Sequence, residues 1–309
     1  MTIRIANPGF FTTVQDLGRY GYAHLGISPA GPADPLSFRI ANLLVGNNEN
    51  FPVLEMTLLG ASLEFERSAM VALTGARCEC KIGSAQVPFN AAFEVPAGAI
   101  LQCGSMMTGA RCYLAVQGGF DIPLIMGSAS TFVAGHFGGL NGRRLQSGNV
   151  LQVRQPGASR IRSLRVGVLD PLGAPRVLRA TKGAQQEWFG PEAFAKLFSG
   201  AYVVSEHSDR SGLRLKGEAV RPRESSELLT DGIPLGAIQV PADGQPIILF
   251  VDQQTTGGYP KIANVIAADI HRVGQLRPRD KVGLVEVSIA EAVQAIGEQE
   301  RWLRGIFVS

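Results

Sequence analysis

A mainly β chain with a few helices is what this sequence predicts, and three observations predict it. From Val53 to Val153, short apolar or alternating runs recur about every eight to twelve residues between turn signals, the pattern of a sandwich or barrel. The 309 residues include 37 Gly and 18 Pro, a turn-rich composition. Helical spacing with capping residues is confined to a few stretches.

In chain order, Met1 to Ala6 reads as a strand ended by Asn7, Pro8 and Gly9. The following segment, FFTTVQDLGRYGYAHLGISPAGPADP, reads as a long polar loop anchored by Phe10, Phe11, Tyr20 and Tyr22, and so as a functional one. Pro35 opens a helix with Asp34 as N-cap and Gly46 as stop. The strand runs VLEMTLLG, ASLEFE, MVALTG, CECKIG, AFEVPAG, AILQCG, CYLAVQGG and NVLQVRQPG follow. At QPGASRIRSLRV the composition shifts, with Arg154, Arg160, Arg162 and Arg165 around a Pro-Gly turn. The expected division is therefore 1–157 and 158–309, with interleaved halves left open. LRVGVLD then reads as a strand and GPEAFAKLFSG as a short helix. AYVVSEHS, LRLKGEAV, GAIQVP, PIILFV and KVGLVEVS read as strands, and a closing helix opens with the capping-box pair Ser288 and Glu291. One echo stands out: Arg39 to Leu44 resembles Lys261 to Ile266, each after a Pro, as a duplicated and permuted unit or as two helices of common pattern.

Composition excludes several classes. A formal charge of +3, with no basic run interleaved with aromatics, argues against nucleic acid. The N-terminus has no apolar leader, and the uncharged stretch 122–142 is too rich in Gly, Ser and Pro to span a bilayer, so a soluble, cytoplasmic protein without a membrane partner is expected. Cys78, Cys80, Cys103 and Cys112 form no CxxC pattern, so no metal site is expected and the thiols read as reduced and buried.

Three constellations carry candidate chemistry. From Ile247 to Asp280 a strand, IILFV, leads into Asp252, Gln253, Gln254, Thr255, Thr256, Gly257, Gly258 and Tyr259, and a helix is expected from Pro260 to Gly274. Its Ile262, Val265, Ile266, Ile270 and Val273 fall at spacings of three and four. Helix N–H groups beside a carboxylate, amides and hydroxyls suit a small molecule or anion, and an ordinary capped helix is the other reading. Asp16 and Arg19 flank Gly18, either as a charge-assisted pair that braces a loop or with one of them holding a polar ligand. Asp209 precedes Arg210 and Arg214, which share a face if the segment is a strand and then grip a carboxylate or phosphate, or else form a solvated strand end. There is no GxxxxGK[ST] loop, GxSxG elbow or HExxH helix, and the lone His136 in a Gly-rich loop reads as structural.

The motifs VQDLGRYG, GISPAGPADP, RIANLLVGN, LEMTLLG, LTGA, AVQGGFD, MGSAST, SDRSGLRLKG, GAIQVPADGQPI and QTTGGYPKIA, taken in order, resemble the allophanate hydrolase subunit 2 family, also called the biotin-dependent carboxyltransferase family. That family contains the bacterial 5-oxoprolinase subunit named C, the regulator KipA, and one half of the carboxyltransferase domain of urea carboxylase. The resemblance implies two cyclophilin-like β-barrel halves and a KipI-like partner subunit. With a lactam-utilisation subunit, the complex implied uses ATP to open 5-oxoproline to glutamate. Its alternatives are a biotin-dependent carboxyltransferase component and a non-catalytic KipA-like antagonist of a KipI-like kinase inhibitor. Having no Met-Lys pair, the chain lacks the usual biotinyl-lysine signature and is expected to carry no biotin of its own. The motifs map to Asp16, Arg19, Asp34, Asp209, Arg210, Arg214, Asp252, Thr255, Thr256, Gly257, Gly258, Tyr259 and Lys261. Of these, Asp252, Lys261 and Asp16 are expected to be catalytic. The others, with Gln253, are expected to bind a small amide or carboxylate. The sequence departs from the family pattern at Ala129, where Arg or another polar residue is frequent, at Ser211, where Met is common, and at Arg279, where Gly is usual.

Overall fold

A computed structural model describes residues 1–157, 160–165, 177–223 and 228–308. The chain forms two compact units, one of Met1–Arg19, Ala30–Gly173 and Leu303–Ser309, the other of Tyr20–Pro29 and Ala174–Trp302. The expected boundary at 157/158 falls against residues 158 and 159, outside those described. The expected strand LRVGVLD also lies outside them from position 166 onward, while Ser163–Leu164 is a short strand.

The first unit is β throughout except for one helix. Its strands are β1 (Thr2–Asn7), β2 (Phe11–Gln15), β3 (Val53–Thr57), β4 (Ser62–Phe65), β5 (Ala69–Gly75), β6 (Cys78–Ile82), β7 (Ala85–Gln86), β8 (Ala92–Val95), β9 (Ile100–Met106), β10 (Arg111–Val116), β11 (Val150–Gln152) and β12 (Ser163–Leu164). Eleven of them form a six-stranded sheet, β11-β1-β4-β9-β6-β7, and a five-stranded sheet, β2-β3-β10-β5-β8, while β12 pairs with the short strand Phe307–Val308. Ile3, Leu63, Phe65 and Leu101 from one sheet share a single core with Val14, Leu54, Val71 and Leu114 from the other. The alternation along each run puts these residues on the inner faces. Helix α1 (Pro35–Leu44) starts where expected. Asp34 caps it by accepting from Ser37 N, and Pro35 occupies the first turn, where a missing N–H costs nothing.

In the second unit, β13 (Val177–Lys182), α2 (Pro191–Ser199), β14 (Tyr202–Val204), β15 (Gly212–Lys216), β16 (Asp231–Gly232), β17 (Ala237–Gln239), β18 (Ile247–Leu249), β19 (Thr256–Gly257), β20 (Lys261–Val265), α3 (Ile270–Val273) and β21 (Lys281–Glu286) follow in order. Seven of the strands close into a barrel, β13-β20-β17-β18-β15-β14-β21. The ring is antiparallel except at its seam, where β13 runs parallel to β21. Leu178, Leu215, Ile238, Ile248, Ile262 and Leu284 are buried in it. Helix α4 (Ile289–Gly305) carries the expected capping box: Glu291 accepts from the Ser288 backbone N–H and hydroxyl, and Ser288 accepts from Glu291 N. The mainly β class with a few helices is thus the observed one, and no helix among the described residues is long and apolar enough to cross a membrane.

Three expectations are corrected. The helix expected over Pro260–Gly274 is instead strand β20, a 3-10 turn at Ala267–Asp269 and the single turn of α3. Ile262 and Val265 are β-branched and sit in β20, which pairs along both edges with β13 and β17, so packing overrides a spacing that also fits a helix. The approach is close: a Cβ on Gly183 would collide with the Lys261 carbonyl. Second, the echo does not mark a shared element, because Arg39–Leu44 is helical whereas Lys261–Val265 is a strand. Third, the loop expected after Gly9 contains β2, and Phe10 and Tyr20 are exposed rather than anchoring.

The departure at Arg279 has a backbone reading. Its φ is +74°, in the left-handed region that glycine enters without cost, and its guanidinium is paired with Glu206 on the surface. A non-Gly residue there costs about 1 kcal/mol, and a surface ion pair returns about 0–1 kcal/mol. Arg279→Gly is therefore expected to raise the urea midpoint slightly, corresponding to about 0.5 kcal/mol. A clear fall in the midpoint would show that the Glu206 pair outweighs the backbone strain.

Candidate functional site

Where β2 ends, the chain meets the segment Ser128–Thr131. Asp16 Oδ1 accepts from Ser128 Oγ at 2.5 Å, Ser130 Oγ at 2.7 Å and Gly18 N at 2.9 Å, and Oδ2 accepts from Ala129 N at 2.6 Å. This carboxylate is buried and its acceptor sites are taken up by hydroxyls and amides. Arg19 is buried as well. It donates through Nη2 to the Ser130 carbonyl and lies over the Phe137 ring at 4.9 Å. Gly138, at φ +72°, passes so close to Ser130 that no side chain fits there. Asp16 and Arg19 thus both clasp one distant segment, each through its own bonds. Ala129, whose N–H donates to Asp16, is fully buried in the clasp. Asp34 has a comparable role: besides capping α1, its N–H donates to Tyr113 Oη, which donates to Glu55.

In the second unit, the polar turn after β18 is held by two ion pairs. Arg210 Nε donates to Asp252 Oδ2 at 2.7 Å and Nη2 to Oδ1 at 3.0 Å, a bidentate fork buried on both sides. Lys261, only 2% exposed, donates through Nζ to Asp231 at 2.7 Å and to the Gly232 carbonyl at 3.1 Å. Hydrogen bonding from Lys261, joined by the Gly232 N–H, holds the half-exposed Asp231 carboxyl below the usual carboxylate range. Gln185 links the two, accepting from Lys261 N and donating to Asp231. The TTGG motif is therefore a strap. Thr256–Gly257 pairs with Asp231–Gly232, the Thr255 carbonyl accepts from Ile233 N, and the Gly258 carbonyl accepts from Leu228 N. Gln253 is buried with its Nε2 donating to the Ile233 carbonyl, and among the described residues its Oε1 meets no donor.

A cleft of about 540 Å³ opens on the same unit, and Asp209, Arg214, Lys216, Gln239, Gln254 and Tyr259 are among its lining residues. Asp209 accepts from Ser211 N and Gly212 N, a turn that resets the strand before β15 begins. As a result Arg210 points inward to Asp252, while Arg214 is exposed on the cleft side. The two arginines do not grip one ligand, as strand alternation had suggested. Gln239 donates to the Tyr259 carbonyl, which fixes both at the wall. Of the residues singled out in the sequence, the cleft therefore gathers Asp209, Arg214, Gln254 and Tyr259. It excludes Asp16, Arg19 and Asp34, which belong to the other unit. Lys216 and Gln239 were missed. Lys216 was signalled by the alternation in LRLK, which aims it the same way as Arg214. Among the described residues, no group of three or more His, Cys, Asp and Glu is arranged to hold a metal ion.

The family model for the carboxyltransferase domain, subdomains A and B, matches residues 25–286. The chain belongs to the carboxyltransferase-domain family. Among curated members it is 40% identical to the 5-oxoprolinase subunit named C in Escherichia coli (strain K12) over 301 residues, covering 97% of this chain and 96% of that one. Its fold matches the crystal structure of the K. lactis urea amidolyase with a TM-score of 0.92 at 34% identity, over 98% of this chain and 20% of that one. It also matches the Kluyveromyces lactis urea carboxylase with a TM-score of 0.90 at 34% identity, over 98% of this chain and 29% of that one. This member of the family thus spans a fifth of the amidolyase chain and less than a third of the carboxylase chain.

The buried fork sets a stability test. Arg210→Met alone leaves the Asp252 carboxylate buried without its guanidinium and is expected to cost about 3–5 kcal/mol, whereas Arg210→Met with Asp252→Leu should recover most of that. Urea unfolding of the two variants measures the difference, and equal losses would show that the charges act independently. Asp231 adds a pH dependence. Because its folded pKa is depressed, its contribution is present above the unfolded value, about 3.9, and is lost as pH falls through the lower folded value. Lys261→Met should flatten the acid limb of a stability profile below about pH 4. An unchanged limb would assign the acid loss to other carboxylates.

Proposed function

We propose that the chain is a subunit of an ATP-dependent 5-oxoprolinase-type amide hydrolase and that its barrel cleft binds the lactam. The observation that carries this reading is the cleft wall, which sets the cations Arg214 and Lys216 beside the side-chain amides of Gln239 and Gln254 and the exposed Tyr259. 5-Oxoproline presents a carboxylate, which suits a guanidinium fork, and a ring amide, whose N–H and carbonyl suit side-chain amides that both donate and accept. The near full-length similarity to a 5-oxoprolinase subunit supports the same choice.

In this assignment the chain binds and orients. Arg214 takes the substrate carboxylate, Lys216 adds positive potential, and Gln254 with Tyr259 aligns the ring against the wall that Gln239 holds. Asp252, expected to be catalytic, is committed to Arg210, and Lys261 is committed to Asp231; both keep the Thr255–Tyr259 strap in place. ATP, when used by the complex, supplies the group that activates the lactam carbonyl; no residue of this chain is assigned to it. A KipI-like subunit and a lactam-utilisation subunit complete the proposed enzyme.

The similarity to the K. lactis urea amidolyase and urea carboxylase favours a second reading, a carboxyltransferase component of a biotin-dependent enzyme acting on a small amide. The two readings separate on reconstitution. With the partner subunits, ATP and 5-oxoproline, glutamate release is expected, and Arg214→Ala should raise KM for 5-oxoproline about tenfold to a hundredfold, the worth of a charge-assisted contact. Unchanged kinetics in that variant would remove Arg214 from the site. Co-purification of a biotinylated partner on a streptavidin blot, with no glutamate formed, would favour the carboxyltransferase.

A further inference from the structure

The four cysteines of the first unit converge in its core: Cys78 and Cys80 on β6, Cys103 on β9 and Cys112 on β10, all buried and all free thiols. Neither the clasp at Asp16 nor the barrel cleft involves them. Alternate residues of a regular strand stand about 6.6 Å apart along the chain, too far for their sulfurs to meet without distortion. Here the register between β6 and β9 shifts between Cys78, opposite Met106, and Cys80, opposite Cys103. This bulge bends the strand and swings the two side chains together, leaving Sγ–Sγ at 3.2 Å. A disulfide needs about 2.05 Å, so closure asks for little more than an ångström of movement.

The cluster also differentiates its members. Hydrogen bonding from the neighbouring Cys103, Cys112 and Cys80 thiols holds the Cys78 pKa below the usual thiol range, against the effect of burial. Cys103 is pushed up by giving its proton to that bond, and Cys112 by desolvation. Among the four, Cys78 is the thiol whose neighbours favour the thiolate, the nucleophilic form. It opens β6 directly after the exposed Arg77, at the strand end where the core meets solvent.

We propose that Cys78 and Cys80 form an oxidation site, a vicinal dithiol that a hydroperoxide converts to an intrastrand disulfide. Cys78 Sγ attacks the peroxide O–O bond. The S–O bond of a sulfenic acid forms, and the departing oxygen leaves as water or alcohol with the thiol proton. Cys80 Sγ then attacks Cys78 sulfur, the S–S bond forms, the S–O bond breaks, and the hydroxyl leaves as water with the Cys80 proton. The dithiol loses two electrons and the peroxide gains them.

Trypsin releases Cys78 to Lys81 as one short peptide, so the test reads a single species. The folded chain is treated with hydrogen peroxide, blocked with an alkylating agent in denaturant, digested and weighed. The expected product is the Cys78–Lys81 peptide short of two hydrogens and carrying no alkyl group, while Cys103 and Cys112 remain alkylated. Cys80→Ser should instead trap Cys78 as a sulfenic acid that dimedone labels, and Cys78→Ser should leave Cys80 alkylated. The proposal is overturned if the peptide keeps both alkyl groups, if Cys80 is found joined to Cys103, or if loss of thiols appears only when peroxide is added after unfolding. Circular dichroism of each variant before oxidation separates a missing disulfide from a missing fold.

Discussion

Buried polar groups need partners, and this requirement shapes both units more than hydrophobic burial alone. The closed barrel satisfies the backbone of its seven strands against one another and leaves no open edge. Its polar turn is a different problem: Asp252 and Lys261 are buried there, where an unmatched charge is far more costly than a matched one is favourable. The bidentate fork to Arg210 and the bridge from Lys261 to Asp231 solve it. In the first unit Asp16 solves the same problem with hydroxyls and amides instead of a cation. These clasps fix the loops that a purely apolar core would leave loose.

The sequence made some of this legible and hid the rest for identifiable reasons. Alternation from Val53 to Val153, the cap at Asp34 and the capping box at Ser288 are local signals, and local structure follows them. The stretch after Pro260 misled because β-branched residues at spacings of three and four satisfy a helix and a twice-paired strand equally well. The choice was made by β13 and β17, distant partners that no local window contains. The site followed the same division. Asp209, Arg214 and Tyr259 reach the cleft, whereas Arg210, Asp252 and Lys261 share the same motifs and turn inward to partners 30 or more positions away. A motif marks a neighbourhood; which of its charges faces solvent is decided by long-range pairing.

Family membership and the cleft answer different questions. The carboxyltransferase-domain fold occurs in relatives named for lactam opening and in relatives named for urea chemistry, so the fold does not choose between them. Both kinds of substrate are small amides. The carboxylate is what distinguishes 5-oxoproline from urea, and Arg214 with Lys216 makes up the cationic part of the cleft wall.

The parallel seam between β13 and β21 joins Val177–Ala180 to Gly283–Glu286. During synthesis, therefore, the first barrel strand emerges long before the strand that closes the ring. Until then the β13 edge and the apolar faces of the intervening hairpins are exposed on the nascent chain, the condition under which slow, non-local β pairing invites misassembly. Completion of the barrel is a late event at the ribosome, and expression that outpaces it should yield aggregates enriched in second-unit segments.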